Sequence, residues 1–291
     1  MFFMKFKKML FVTDFDELWF DALESLMELR KAGLNHVVFL HVIRKESVTM
    51  RRGKGYLKDE DIRLRQMADV RFIEWAESIF EKGMECGAYV VVGDPLPKIL
   101  STAETEGIDL IVTKAHKTTK LERLYAGSTT IELLRRSKTP VLVHKYMLPS
   151  GKINDKPFEV PLFTTDWSSP CERALEQIIT LKNIVKKVVV VHVVNDETVK
   201  GKSKNDLMKI QKENKKRLGD VCVAFEDEGI EAEYHLCMGE TVSQIETAAR
   251  EHGATMVVMG ATGKGAWRTR WLGSVSQKLT EISELPTLLI P

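Results

Sequence analysis

The sequence predicts an α/β protein made of two tandem, open, five-stranded parallel-sheet domains paired as a pseudo-dimer. Three observations carry this expectation. Short β-branched runs alternate with segments of helical apolar spacing, the pattern of a parallel sheet covered on both faces. The same landmarks occur twice, in the same order, about 150 residues apart. Each half ends on an apolar run, Val141-Leu142-Val143 and Thr287-Leu288-Leu289-Ile290, which would lie at a sheet edge and so needs covering.

In the first half the β-branched runs place strands near 8–13, 36–43, 88–93, 109–114 and 140–144. Between the first two, Leu23, Leu26, Met27 and Leu29 form a core-facing stripe at helical spacing. The segment from Pro149 to Pro157 is rich in turn formers. It divides the chain into a first domain over 1–147, a linker over 148–157 and a second domain over 158–291. The second domain is expected to have strands near 160–165, 187–194, 231–238, 255–260 and 286–290. Its helices are expected near 170–182, 203–228, 240–252 and 274–283. Ser169-Pro170-Cys171-Glu172 is a good helix start, with Ser as cap and Pro in the first turn.

The repeat is visible residue by residue. Leu10-Phe11-Val12-Thr13-Asp14 matches Leu162-Phe163-Thr164-Thr165-Asp166. Val37-Val38-Phe39-Leu40-His41-Val42 matches Val188-Val189-Val190-Val191-His192-Val193. Ala126-Gly127-Ser128 matches Leu272-Gly273-Ser274.

Bulk properties narrow the function classes. At 44 % hydrophobic and 29 % charged, the 291-residue chain is not disordered. A net charge of +2 supplies neither a basic field for nucleic acid nor a polybasic membrane patch. Its apolar runs fall short of the ~20 residues that a bilayer span needs. The greasy start runs into Lys7-Lys8 and a strand pattern without a small-residue cleavage site, so it does not read as a signal peptide. The four cysteines lack C-x-x-C spacing and read as buried or idle thiols of a reducing cytoplasm, and the seven histidines show no metal-ligand spacing.

The strongest functional signal lies between the fourth strand and last helix of the second half. Gly260 and Gly263 are followed, after nine residues, by Gly273-Ser274. Bare glycines let an anion approach backbone N–H groups, and a helix starting at Ser274 adds free donors and a positive dipole end. The spacing is neither a Walker A loop nor a Rossmann fingerprint. Asp166, after the first strand, is either an acceptor for hydroxyl groups or a cap for the next helix. His192 reads as a core histidine.

With these residues the chain resembles the universal stress protein family, over nearly its whole length, as a tandem two-domain member. ATP-binding members of that family share Gly-x2-Gly-x9-Gly-Ser/Thr, which Gly260, Gly263, Gly273 and Ser274 fit. They also share a first strand ending in Asp and a second with His-Val, as at Asp166 and His192-Val193. The resemblance implies a Rossmann-like sheet of the adenine nucleotide alpha hydrolase type, binding ATP at the carboxyl ends of its strands. It implies that Asp166 and the backbone of Val193 meet the adenine and ribose side, with Thr165 also among the binding residues. Met259 and Gly260 would lie against ribose and phosphates. Gly263, Gly273, Ser274, Val275 and Ser276 would cradle phosphates through N–H and hydroxyl groups. A magnesium or manganese ion would be held by the phosphates.

The first half departs from the pattern, with Lys114 and Lys117 standing where the first two glycines should be. Either the lysines block that crevice, or their ammonium groups hold an anion. The expected function is a cytoplasmic ATP-binding regulator or sensor of the stress response with little or no turnover. The alternative is a slow ATPase or nucleotide-transferring enzyme. The loop residues Arg268 and Arg270 are candidates for a terminal phosphate, and Trp267 and Trp271 for loop packing or a contact patch.

Overall fold

The structure is a computed structural model that describes residues 5–16, 18–49, 55–117, 124–125, 127–148, 150–263 and 272–291. The first half runs β1 (Lys8–Thr13), α1 (Trp19–Ser25), β2 (His36–Ile43), α2 (Lys58–Glu81), β3 (Glu85–Val92), α3 (Pro95–Thr105) and β4 (Leu110–Lys114). Two short strands follow, β5 (His116–Lys117) and β6 (Leu124–Tyr125), then α4 (Ser128–Arg136) and β7 (Val141–His144). The second half runs β8 (Pro161–Thr164), α5 (Ser169–Thr180), β9 (Lys187–Val194), α6 (Asp196–Val199), α7 (Lys204–Glu226) and β10 (Glu231–Met238). It closes with α8 (Thr241–Glu251), β11 (Met256–Gly260), α9 (Ser274–Ile282) and β12 (Thr287–Ile290).

The halves share one ten-stranded sheet of order β10-β9-β8-β11-β12-β7-β4-β1-β2-β3. Its ladders are parallel except where β12 meets β7, antiparallel, with Leu288 opposite Leu142. The two apolar last strands thus cover each other, as the edge argument requires. Successive residues of each strand feed opposite cores. Val188 and Val190 pack under α5 and α7 with Phe163, Ile178 and Phe225. Val189 and Val191 pack under α8 and α9 with Ile245, Val257 and Leu279.

Two local expectations shift. β3 begins at Glu85 rather than 88, because Glu85, Cys86 and Gly87 pair with His36, Val37 and Val38 of β2. Neither Glu85 nor Gly87 carries β propensity, so the neighbouring strand supplies what their own chemistry does not. The stripe from Leu23 to Leu29 is not one helix. α1 ends at Ser25 and a 3₁₀ segment, Met27–Ala32, continues the buried face.

One buried group near the seam makes stability depend on pH. His144 is 1 % exposed, and its Nε2 lies 3.1 Å from Ser25 Oγ. Ser25 gives its own hydrogen to the Ala22 carbonyl at 2.7 Å, so the imidazole is the donor. Burial pushes the His144 pKa from 6.5 down to about 3. Between those values the unfolded chain binds a proton here that the folded chain does not. This contribution is therefore fully present above pH 6.5 and is lost as pH falls toward 3. Over the whole window it is on the order of 5 kcal/mol. In urea melts from pH 7 to 4.5, His144→Leu is expected to lower the slope of unfolding free energy against pH by up to about 1.4 kcal/mol per unit. A variant that keeps the wild-type slope would exclude His144 as the source.

Candidate nucleotide-binding crevice

In each half the strand order reverses between the first and fourth strands, in the second half between β8 and β11. Open α/β sheets bind ligands at the carboxyl ends of the strands at such a switch point. Thr165, Asp166, Gly260 and the start of α9 converge there.

The loop after β8 is held from several sides. The Thr165 N–H donates to Val191 O at 3.0 Å, and Trp167 N–H donates to Thr165 Oγ1 at 3.1 Å. His192 Nδ1 lies 2.7 Å from the Thr165 carbonyl. Trp167 turns the chain in the left-handed region, at φ 66°, and Phe15 does the same in the first half at 60°. The first half repeats the contacts: Phe15 N–H to Thr13 Oγ1 at 2.9 Å, and His41 Nδ1 to Thr13 O at 2.9 Å. The histidine that reads as a core residue therefore pins the strand-end carbonyl just before the acidic residue, and does so twice.

Asp166 performs a local task and faces the crevice. Its Oδ1 accepts from Ser168 N–H at 3.0 Å and sits 3.3 Å from the Cys171 thiol, bracing the entry to α5. Its Oδ2 faces Gly263, where an added Cβ would lie 2.6 Å away. Cys171 is buried, which raises its thiol pKa; it stays protonated and is no activated nucleophile.

The three glycines have different physical reasons. A Cβ on Gly260 would meet Pro170 Cβ at 2.7 Å and the backbone of Pro170 and Cys171 at 3.1 Å. Gly260 thus lets the first turn of α5 lie against the end of β11. Gly263 leaves room for the Asp166 carboxylate. Gly273 caps α9, its N–H closing the loop onto Ala261 O at 2.9 Å. Gln277 N–H returns to Gly273 O at 2.8 Å, so the N–H groups of Ser274, Val275 and Ser276 project from the helix end. The Ser276 hydroxyl is engaged within the protein, donating to Gly260 O at 2.9 Å. Met259 is 3 % exposed and places its side chain in the core under α8 and α9. Val193 is half-buried near the end of β9. Trp267, Arg268, Arg270 and Trp271 lie outside the described residues.

The first-half crevice is bridged from within. Lys114 ends β4, as Gly260 ends β11, and its Nζ pairs with Asp14 at 2.5 Å and also with Asp16. Asp14, the counterpart of Asp166, is thereby neutralised by the residue that replaces the glycine. The Lys117 side chain lies outside what is described.

Beside the crevice, on the α5–α7 face, lies a cavity of about 230 Å³ bordered by Phe163, Trp167, Cys171, Leu175, Arg217 and Val221. Arg217 lies over the Trp167 ring, 4.2 Å from its centroid. At the matching places the first half has Trp19 and Trp75, each packed on Phe11, where the second half has only Cys171 and Val221. The substitution of two indoles by small side chains accounts for the space. Aligning the repeats through α5 and α7 exposes this difference in the sequence.

Comparison with known proteins agrees with this architecture. The model of the universal stress protein family matches residues 5–145 and again 161–291. A universal stress protein of Methanocaldococcus jannaschii, MJ0577, is 27 % identical over 154 residues, covering 48 % of this chain and 95 % of that protein. Universal stress protein YxiE of Bacillus subtilis is 31 % identical over 81 residues, covering 28 % of this chain and 55 % of that protein. Among solved structures, a universal stress protein from Archaeoglobus fulgidus has the same fold with a TM-score of 0.73 at 24 % identity, over 99 % of both chains. A Pseudomonas aeruginosa protein reaches 0.65 at 15 % identity, over 98 % of this chain and 93 % of its own. The chain belongs to the universal stress protein family, as a member with two of the family's domains in tandem.

Proposed function

We propose that the second half binds one adenine nucleotide, ATP foremost, and that the chain is a cytoplasmic regulator responding to nucleotide rather than consuming it. The observation that carries this reading is the convergence at the switch point. Three N–H donors of the α9 first turn, two glycines without Cβ atoms and the Asp166 carboxylate meet in one crevice. A helix N-terminus suits phosphate oxygens, and a carboxylate acceptor suits ribose hydroxyls. A Cβ at Gly263 would intrude on this cradle, and one at Gly273 would lie in ordinary contact with Gly263 N and Ser276 Oγ at its rim, so the residues present fit the ligand. Magnesium or manganese would be carried in by the phosphates, which such ions favour over all-protein cages. The free state of all four cysteines accords with a reducing compartment.

The Lys114 ion pairs support one site per chain. Calorimetric titration of ATP with magnesium is expected to give a stoichiometry of one, and mass spectrometry of the purified protein an adenine nucleotide. Two equal sites, or no binding at millimolar ATP, would overturn the reading. Steady phosphate release that disappears in a Gly273→Val protein would replace the regulator by an ATPase.

A further inference from the structure

At the opposite end of the strands from the crevice, the fold assembles three ligating side chains far apart in sequence. Glu233 and His235 lie on β10, an outer edge of the sheet, and point to the same side as residues two apart must. Among the described residues β10 pairs with β9 alone, Glu233 opposite Val189 and His235 opposite Val191, on the face that α8 covers. His252 caps the carboxyl end of α8 and arrives from above. One ligand atom from each of the three lies within 4.8 Å of the other two. Glu233 Oε1 is 3.0 Å from His252 Nδ1 and 3.7 Å from His235 Nε2. The imidazole rings approach to 3.7 Å between centroids.

Ion pairing of Glu233 with the two histidines would require protonated rings, and no aligned hydrogen bond joins the three. Among the described residues Glu233 Oε1 and His235 Nε2 are buried atoms without a hydrogen-bond partner, although His252 Nδ1 is near; the groups converge without aligning on one another. Three ligands at the 2.0–2.2 Å bond lengths of a tetrahedral ion stand about 3.3 Å apart, between the two separations observed here. The other carboxylate oxygen, Oε2, is held at 2.8 Å by Lys187, which fixes the carboxylate with Oε1 toward the histidines. The corresponding positions of the first half are Gly87, Tyr89 and Glu106. There Tyr89 donates to Glu106, and Lys8 pairs with the same carboxylate at 2.6 Å, so the group is satisfied and offers no nitrogen ligand.

We propose that Glu233, His235 and His252 form a site for one first-row divalent transition ion, zinc foremost. Two imidazole nitrogens exclude magnesium and calcium as preferred occupants, since those ions take oxygen ligands. Three protein ligands at a half-exposed sheet edge leave a fourth position for water or an outside ligand. Bound metal would tie the edge strand to the end of α8, so it stabilises the second half without entering the nucleotide crevice. The proposal stands independently of nucleotide binding.

Titration of zinc chloride into the metal-free, untagged full chain, followed by calorimetry, tests it. One equivalent is expected to bind and to raise the melting temperature, while magnesium gives neither effect. His235→Ala and His252→Gln are each expected to weaken zinc binding at least about tenfold, since even indirect partners of a metal site cost that much. His36→Ala, on β2 beside the matching edge strand of the first half, is expected to leave zinc binding unchanged. Cobalt substitution is expected to give visible absorption that His252→Gln removes while circular dichroism stays native. Absence of zinc binding in the wild-type chain overturns the site, and so does zinc affinity that survives both histidine variants.

Discussion

Gly263→Val is expected to lower ATP affinity at least about 100-fold, equivalent to about 2.7 kcal/mol, while the chain stays folded. The new Cβ would fall 2.6 Å from Asp166 Oδ2, the tip of a side chain and not backbone. The clash is relieved by moving the carboxylate, and the branched side chain then fills the space that phosphate and ribose would share. Gly263 does not adopt a left-handed conformation, so valine adds no backbone strain there. Gly260→Val is a poorer test, although the same motif contains it. Its Cβ would strike Pro170 and the backbone of Cys171, forcing α5 off the end of β11. It is an overpacking substitution, of the kind that costs about 1–3 kcal/mol or more. Calorimetry of Gly263→Val beside its thermal melt decides the matter. Unchanged affinity in a folded Gly263→Val protein would remove the crevice as the nucleotide site.

The difference between these two glycines marks where sequence reading stops. Periodicity reports which face of an element is buried, and repetition reports that two halves share one topology. The fold class and the ten strands of the main sheet, with β3 begun three residues late, were therefore legible from apolar runs and their order, and the pairing of the two last strands from their apolar edges together with the family resemblance. The Gly260, Gly263 and Gly273 spacing also located the loop at the switch point. Why each glycine is there was not legible, because the partner of a Cβ can be 90 residues away, as Pro170 is from Gly260. The use of the Ser276 hydroxyl on Gly260 O, the burial of Met259 and the grip of His192 on Thr165 are likewise settled by tertiary approach. The sequence left Lys114 open between blocking a crevice and holding an anion. Its ion pairs with Asp14 and Asp16 favour the first. His235 and His252 follow no metal spacing, since they meet only because α8 brings the chain back over β10.

The seam between the halves carries the second large effect. Residues 1–147 expressed alone are expected to form a homodimer, or to aggregate, but not to remain a well-behaved monomer. Without β12, the edge of β7 exposes Val141, Leu142 and Val143, each at most 2 % exposed in the intact chain. The observed register centres on Leu142 opposite Leu288, with Val141 facing Leu289 and Val143 facing Thr287. A second β7 in the place of β12 would set Leu142 opposite Leu142 and Val141 opposite Val143, so the fragment's edge is complementary to itself. Cross-seam polar contacts would need replacement. Lys145 is 2 % exposed and donates to the Ser283 carbonyl, and Arg135 reaches Gln277 at 3.0 Å. Freed of Ser283, Lys145 regains water, and its pKa, pushed down to about 8 by burial, returns toward 10.5. Sedimentation equilibrium is expected to give twice the fragment mass. A stable monomer of the unmodified fragment, with its edge open to water, would show that something other than strand pairing joins the halves.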